Sequence, residues 1–236
     1  MEHSSEIDSA AAAADAKAAA RERVQAIQAE FAKKGDALGW FEALYSEAGG
    51  DVSTIPWADL EPNPYFKRWA DSIGLKGDGR SALVVGCGLG DDANFLADLG
   101  FKVTAFDLSP AAIAWAKKLY PRSEITFETA NLFEPFRGWL GAFDFVLEIY
   151  TIQPLPLEWR EKVIDSIARF VAEKGELVVV TRGREDDEAV NAVPWPLSRK
   201  DLSRFEANGL TEVEHIIYPP EEEGEPDRWL VRYTRG

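Results

Sequence analysis

The segment from Ala82 to Gly100, ALVVGCGLGDDANFLADLG, leads an apolar run into a turn with glycines at 86, 88 and 90. It then places Asp91 and Asp92 where a helix should begin. Glycine lets a backbone approach a ligand closely and adopt conformations closed to other residues. The turn therefore reads as a cradle for a small molecule, with Cys87 as a small buried residue touching that ligand. A helix N-terminus normally attracts phosphate. Two carboxylates there would oppose an anion by on the order of 1 kcal/mol or more each at partly buried range. Helix capping by the same two residues is the plainer use of them. Asp107 ends the next apolar run, 21 residues after Gly86. A carboxylate at that place can accept hydrogen bonds from both hydroxyls of a ribose.

Two ligands compete for this arrangement. A dinucleotide site of the form G-x-G-x-x-G is met at Gly86 and Gly88 but has Asp91 at its third glycine. S-adenosylmethionine has no phosphate and carries a sulfonium cation, which the acidic entrance tolerates. Asp107 fits both ligands and Asp91 favours the second. Leu108 follows Asp107, and Asn131 and Leu132 follow the next apolar run. Asparagine can hydrogen-bond an adenine edge and leucine can pack on its face.

A further group stands beyond the run FDFVL: Glu148, Tyr150, Thr151, Gln153 and Arg160. Glu148 is a candidate general base or a holder of the cofactor's cationic part. Arg160 is a candidate for orienting an anionic substrate group through its fork of donors. Tyr150 and Gln153 are candidates for lining the pocket. Trp57 and Trp195 sit in loops placed to cover the site from opposite sides, where a desolvated aromatic face stabilises a sulfonium by roughly 0.5–2 kcal/mol.

These residues need elements to hold them. Strands are expected at 82–86, 102–107, 124–129, 143–150 and 176–182, with helices at 91–99, 110–119 and 157–172 between them. Ser109–Pro110 is a strong helix start. A helix over 198–208 precedes the strands EVEHIIY and RWLVRYTR, whose short connection requires a hairpin. The result is an α/β, doubly wound, mostly parallel seven-stranded sheet with an antiparallel C-terminal strand and helices on both faces. Upstream, residues 1–20 read as a flexible Ala-rich tail, and 21–75 as N-terminal helices forming a cap or lid. Residues 76–236 read as the cofactor-binding domain. Val24, Ile27 and Phe31 mark one helix. Leu38, Phe41 and Leu44 mark a second, ended by Gly49–Gly50. Asn63–Pro64 starts a third, which carries Phe66, Trp69 and Ile73.

Over roughly residues 55–236 the chain resembles the class I S-adenosylmethionine-dependent methyltransferases, through the glycine turn, the strand-ending Asp107 and the Asn131–Leu132 segment. A narrower resemblance, to the thiopurine and halide/thiol methyltransferase group, lies in PWADLEPNP, FDFVLEIYTIQPLPLEWR and VPWPLSRKDLSRF. The last of these loops usually begins Gly-Pro-Pro in that group, where this chain has Ala192-Val193-Pro194-Trp195. The resemblance implies methyl transfer from S-adenosylmethionine, releasing S-adenosylhomocysteine, to a small molecule such as a thiol or halide. Carboxyl, hydroxyl or amine methylation with Glu148 as base is the alternative, followed by a protein that binds the cofactor without turning it over.

Composition narrows the rest. The net charge of −15 repels a nucleic-acid backbone. No run of about 18 apolar residues exists to span a membrane. A single cysteine excludes an internal disulfide and suits a reducing cytoplasm. The expected protein is a cytoplasmic monomer or homodimer without a metal. His3 and His215 have no ligand-like partners, and the acidic runs at 185–188 and 221–223 read as solvated loops.

Overall fold

The computed structural model describes residues 19–190, 193–220 and 225–236. The tail up to residue 18, the start of the 192–195 loop and the glutamates at 221–223 lie outside the described residues.

Five parallel strands form first along the chain: β1 (Ser81–Val85), β2 (Lys102–Asp107), β3 (Ile125–Thr129), β4 (Phe143–Ile149) and β5 (Val171–Arg182). Two more, β6 (Leu210–Tyr218) and β7 (Arg228–Arg235), close a seven-stranded sheet of order β3-β2-β1-β4-β5-β7-β6. β7 runs antiparallel to both of its neighbours. Alternation along the central strands feeds two cores. Leu83, Val85, Val146, Leu177 and Val179 join one cluster, while Ala82, Val84, Phe145, Leu147, Val178 and Val180 join the other. Strands buried on both faces need helices on both sides.

The helices supply that cover. Residues 19–33 form α1. It is followed by α2 (Gly39–Ala48), α3 (Pro64–Ile73), α4 (Asp91–Asp98), α5 (Pro110–Leu119), α6 (Arg160–Ala168), α7 (Arg199–Leu202) and α8 (Arg204–Ala207). Asn63 caps α3 by accepting from the N–H groups of Tyr65 and Phe66, with Pro64 in the first turn. Ser109 caps α5 in the same way, accepting from Ala112 N–H. Val24, Ile27, Trp40, Leu44 and Tyr45 form a third cluster with Leu89 of the glycine turn and Ala112 of α5. The N-terminal helices are thus packed on the carboxyl ends of β1 and β2.

Two boundaries differ from the sequence expectation. The helix expected over 157–172 is a 3-10 turn at Leu157–Trp159 followed by α6, which stops at Ala168. Phe170 and Val171 continue the helical apolar spacing, yet Phe170 lies in a turn and Val171 opens β5, where Phe143 pairs with Val171 and Phe145 with Glu176 across a bulge. Lys174 takes a positive φ of 62° inside that bulge. A short apolar run has no period of its own, so spacing alone cannot separate these outcomes. The helix expected over 198–208 is broken at Ser203 into α7 and α8.

Candidate functional site

The glycine turn joins β1 to α4. Gly86, Gly88 and Gly90 all have positive φ, at 61°, 52° and 91°. A Cβ on Gly86 would stand 2.5 Å from Thr151 Oγ1, and one on Gly90 would stand 2.8 Å from the Phe127 ring. Asp107, at the end of β2, holds the turn from below. Its Oδ2 accepts from Gly88 N–H at 3.0 Å and its Oδ1 from Ser109 N–H at 2.9 Å. Burial pushes the Asp107 carboxyl up against those hydrogen bonds, and the nearby charge of Glu42 pushes the same way. Each oxygen spends one lone pair on the backbone and keeps another for a ligand hydroxyl. Burial, with Asp107 beside it, raises the Cys87 thiol well above its ordinary value, so it stays neutral.

The acidic entrance is built differently from the sequence expectation. Neither aspartate caps α4; Gly90 is the N-cap and no side chain bonds there. Asp91 Oδ1 accepts from the Tyr120 hydroxyl at 2.5 Å, and Asp92 Oδ1 from Asn63 N–H at 2.8 Å. Burial raises the Asp92 carboxyl to about 7, and Asp91's charge adds to that. A folded-state value above the ordinary 3.8 means the folded protein holds that proton more tightly. The contribution of Asp92 to stability is then most favourable at low pH and falls as pH rises from the ordinary value of 3.8 through about 7. The whole shift to about 7 would cost about 4 kcal/mol at pH 8, and partial contact with solvent reduces that to about 1–2 kcal/mol. Asparagine keeps the acceptor for Asn63 and has no charge. Asp92→Asn is expected to stabilise the protein by about 1–2 kcal/mol at pH 8 and by less at about pH 4.5, read by urea unfolding.

The N-terminal helices add two residues that the motif reading did not single out. Glu42 Oε2 accepts from the Ser109 hydroxyl at 2.5 Å and from Ala111 N–H at 3.1 Å. Burial raises the Glu42 carboxyl, but bonds from Ser109, Ser46 and Ala111 outweigh it and hold the group below its ordinary value. Tyr45 accepts from Trp57 Nε1 at 2.9 Å, and its hydroxyl lies 3.0 Å from the place a Gly88 Cβ would take. Trp57 is 44% exposed and reaches the turn through Tyr45. No spacing signal marks Glu42 or Tyr45, because the Ser109 and Ala111 partners of Glu42 are 67 and 69 residues away and the turn that Tyr45 meets lies on another element.

Asn131 and Leu132 follow β3. Asn131 Oδ1 accepts from Phe133 N–H at 2.9 Å, which leaves its amide nitrogen to donate to a ligand. Leu132 packs into the core cluster with Ile152 and Leu155. Leu108 is half-buried beside Asp107.

The group after β4 is fixed more tightly than its sequence suggests. Glu148 is fully buried, with Oε1 accepting from Thr151 N–H at 2.6 Å and Ile152 N–H at 3.0 Å. Burial raises its carboxyl to about 7 in spite of those bonds and of Arg160. Gln153 is also fully buried; its Oε1 accepts from the Thr181 hydroxyl at 2.5 Å and from Arg182 N–H. Arg160 is 6% exposed and donates to the carbonyls of Trp195 and Pro196 at 3.3 and 3.5 Å. An ion pair of 3.4 Å to Asp201 completes its contacts. These contacts tie the 195–198 loop to α6. Trp195 is half-buried there, its N–H on the Gln153 carbonyl at 3.0 Å. Glu148 Oε2, Gln153 Nε2 and Arg160 Nε are buried without a hydrogen-bond partner.

Tyr150 stands apart from this enclosed group. Its φ of 56° is positive although it is not glycine. Its ring centroid lies 5.8 Å from the guanidinium carbon of Arg182. Burial raises its phenol, opposed by Arg228, an Asn63 hydrogen bond and Arg182. Arg182 and Arg228 were readable as arginines at the carboxyl edge of the sheet, where open α/β folds bind ligands. Among the described residues no three His, Cys, Asp or Glu side chains are grouped to hold a metal. None of the described helices is long and apolar enough to cross a membrane.

Residues 83–179 match the methyltransferase domain family. The chain is 27% identical over 167 residues to a 2-heptyl-1-hydroxyquinolin-4(1H)-one methyltransferase of Mycobacteroides abscessus, covering 69% of this chain and 72% of that protein. Among solved structures it is similar to an N-methyltransferase, NodS, of Bradyrhizobium japonicum in complex with S-adenosylhomocysteine. That pair has TM-score 0.61 at 21% identity, covering 82% of this chain and 96% of the other. It is also similar to a 1,6-didemethyltoxoflavin-N1-methyltransferase of Burkholderia thailandensis, with TM-score 0.62 at 17% identity over 83% of this chain and 85% of the other.

Proposed function

We propose, from the match of residues 83–179 to the methyltransferase domain family, an enzyme that moves the methyl group of S-adenosylmethionine to a small-molecule nucleophile. The observation that carries this reading is the glycine turn pinned by Asp107. Three positive-φ glycines at alternate positions bring bare backbone to the ligand, and the carboxylate that holds Gly88 keeps acceptor capacity for ribose hydroxyls. Gly86 to Gly90, with neutral Cys87, cradle the amino-acid and ribose parts. Leu108, Asn131 and Leu132 flank the adenine, and the Asp91 charge lies on the side that tolerates a sulfonium.

The acceptor attacks the methyl carbon in line as the carbon–sulfur bond breaks, leaving neutral S-adenosylhomocysteine. Alignment alone supplies up to roughly 7–11 kcal/mol in the best cases. An acceptor that arrives ionised or soft, such as the thiol or halide of the narrower resemblance, needs no base. That matches a site in which Glu148 is sealed in by the 150–153 backbone. A second reading uses Glu148 as the base for a hydroxyl acceptor, favoured by its value of about 7 and its unpartnered Oε2.

S-adenosylhomocysteine release, measured with thiol, halide and hydroxyl acceptors from about pH 5.5 to 8.5, tests both. The expected result is turnover that follows ionisation of the acceptor. If Glu148 is the base, the rate with a hydroxyl acceptor instead falls as pH drops through about 7, and Glu148→Gln removes that limb. Silence from every acceptor class refutes methyl transfer and leaves a protein that only binds the cofactor.

A further inference from the structure

We propose that Arg182 and Arg228 form a clamp for an anionic oxygen on the methyl acceptor, with the Tyr150 ring as its wall. The proposal rests on the methyl-transfer reading above and names the class of acceptor it takes: a small molecule bearing a carboxylate or an ionised hydroxyl.

Position comes first. Arg182 is the last residue of β5 and Arg228 the first of β7, and they are register partners. β7 is antiparallel, so its first residue lies at the same sheet edge as the last residues of β1, β4 and β5. Thr151, just after β4, overlies Gly86 of the cofactor turn. Tyr150 precedes it and meets Arg182. The row Gly86, Thr151–Tyr150, Arg182, Arg228 crosses adjacent strands about 4.8 Å apart, so the clamp lies about 10 Å or more from the glycine turn. That is the reach of a small acceptor whose nucleophile faces a methyl group above β1.

Charge comes second. Like charges opposite one another on paired strands are destabilising, so this pair does not serve the pairing of β5 with β7. The Arg182 and Arg228 side chains are 23% and 9% exposed, which strips much of their hydration. Among the described residues, one carboxylate serves them, that of Glu225. It pairs with Arg228, with Arg182 at 3.5 Å and, through its other oxygen, with Arg21 at 3.6 Å. Arg182 and Arg228 thus share the Glu225 carboxylate. A bound carboxylate or phenolate would add an anion beside them, and a guanidinium fork matches its geometry.

Strain comes third. A non-glycine residue at positive φ costs of order 1–3 kcal/mol and persists where surrounding structure imposes it. At Tyr150 that conformation, locked by its N–H on the Val180 carbonyl at 3.1 Å, coincides with the ring's place against Arg182.

The test is calorimetric, on the full chain loaded with S-adenosylhomocysteine at about pH 8, with 4-hydroxybenzoate, 4-nitrophenolate and neutral 4-hydroxybenzamide as probes. At least one anion is expected to bind about tenfold or more tightly than the amide, and which one tells carboxylate from ionised hydroxyl. Arg182→Gln is expected to bring that preference below about threefold, Arg182→Lys to keep part of it, and both to leave S-adenosylhomocysteine affinity unchanged. Equal binding of amide and anions, no anion binding, or a preference that survives Arg182→Gln overturns the clamp. If wild-type protein fails to take S-adenosylhomocysteine, the methyl-transfer reading falls by itself. The anion preference is then read on the unloaded chain.

Discussion

Asp107→Ala is expected to weaken S-adenosylmethionine and S-adenosylhomocysteine binding about 100-fold in a calorimetric titration, with a cooperative fold retained. The carboxylate does two jobs at once. It accepts from Gly88 and Ser109 N–H groups, which fixes the turn against the start of α5. In the proposed site its remaining lone pairs would accept from the ribose hydroxyls. Hydrogen bonds to a charged group contribute about 1.5–3 kcal/mol each, and two ribose bonds therefore account for the loss, since 1.4 kcal/mol is tenfold. The alanine chain also leaves two N–H groups short of an acceptor, so a smaller stability loss of about 1–2 kcal/mol accompanies it. Asp107→Asn separates the two jobs. One amide oxygen can still accept, but the amide nitrogen would meet a backbone donor, so an intermediate affinity is expected. Unchanged affinity in Asp107→Ala would remove this residue from the cofactor site.

How far the sequence reached follows from which signals are local. The mixed sheet and its antiparallel C-terminal strand were legible because a short connection between β6 and β7 leaves no room for a crossover. The pairing of the glycine turn with Asp107 was legible because Gly86 and Asp107 are 21 residues apart at the ends of neighbouring strands. Arg160 was not, because its burial depends on the carbonyls of Trp195 and Pro196, 35 and 36 residues away. The same holds for Glu42 and Tyr45, whose partners belong to β2, α5 and the turn. The two carboxylates at the α4 entrance had readable charge but unreadable direction. Tyr120 and Asn63, which receive and orient them, lie 29 residues away on opposite sides in the chain. Local rules identify the strand ends; contacts between strand ends decide which of those side chains still faces a ligand.

Gly86→Ala tests the closest of those contacts. The new methyl would fall 2.5 Å from Thr151 Oγ1, 2.7 Å from its Cγ2 and 3.2 Å from its Cβ. Thr151 has no room to yield. Its hydroxyl is on the Val85 carbonyl at 2.9 Å and its N–H on Glu148 at 2.6 Å, and a β-branched side chain has few alternative rotamers. The φ of 61° adds about 1–2 kcal/mol of strain for any residue with a Cβ. Together these predict a destabilisation of about 3–5 kcal/mol, measured by urea unfolding, and loss of detectable cofactor binding. The double variant Gly86→Ala with Thr151→Ala removes the two nearest atoms and leaves the 3.2 Å contact, while the left-handed strain stays. It is therefore expected to recover about 1–2 kcal/mol over Gly86→Ala, although Thr151→Ala alone costs about 1 kcal/mol for its lost bond to Val85. That favourable coupling between neighbours is what a double-mutant cycle isolates. Strict additivity of the two changes would mean that Thr151 does not cover Gly86. The row linking the cofactor turn to Tyr150 and the arginine clamp would then lose its first link.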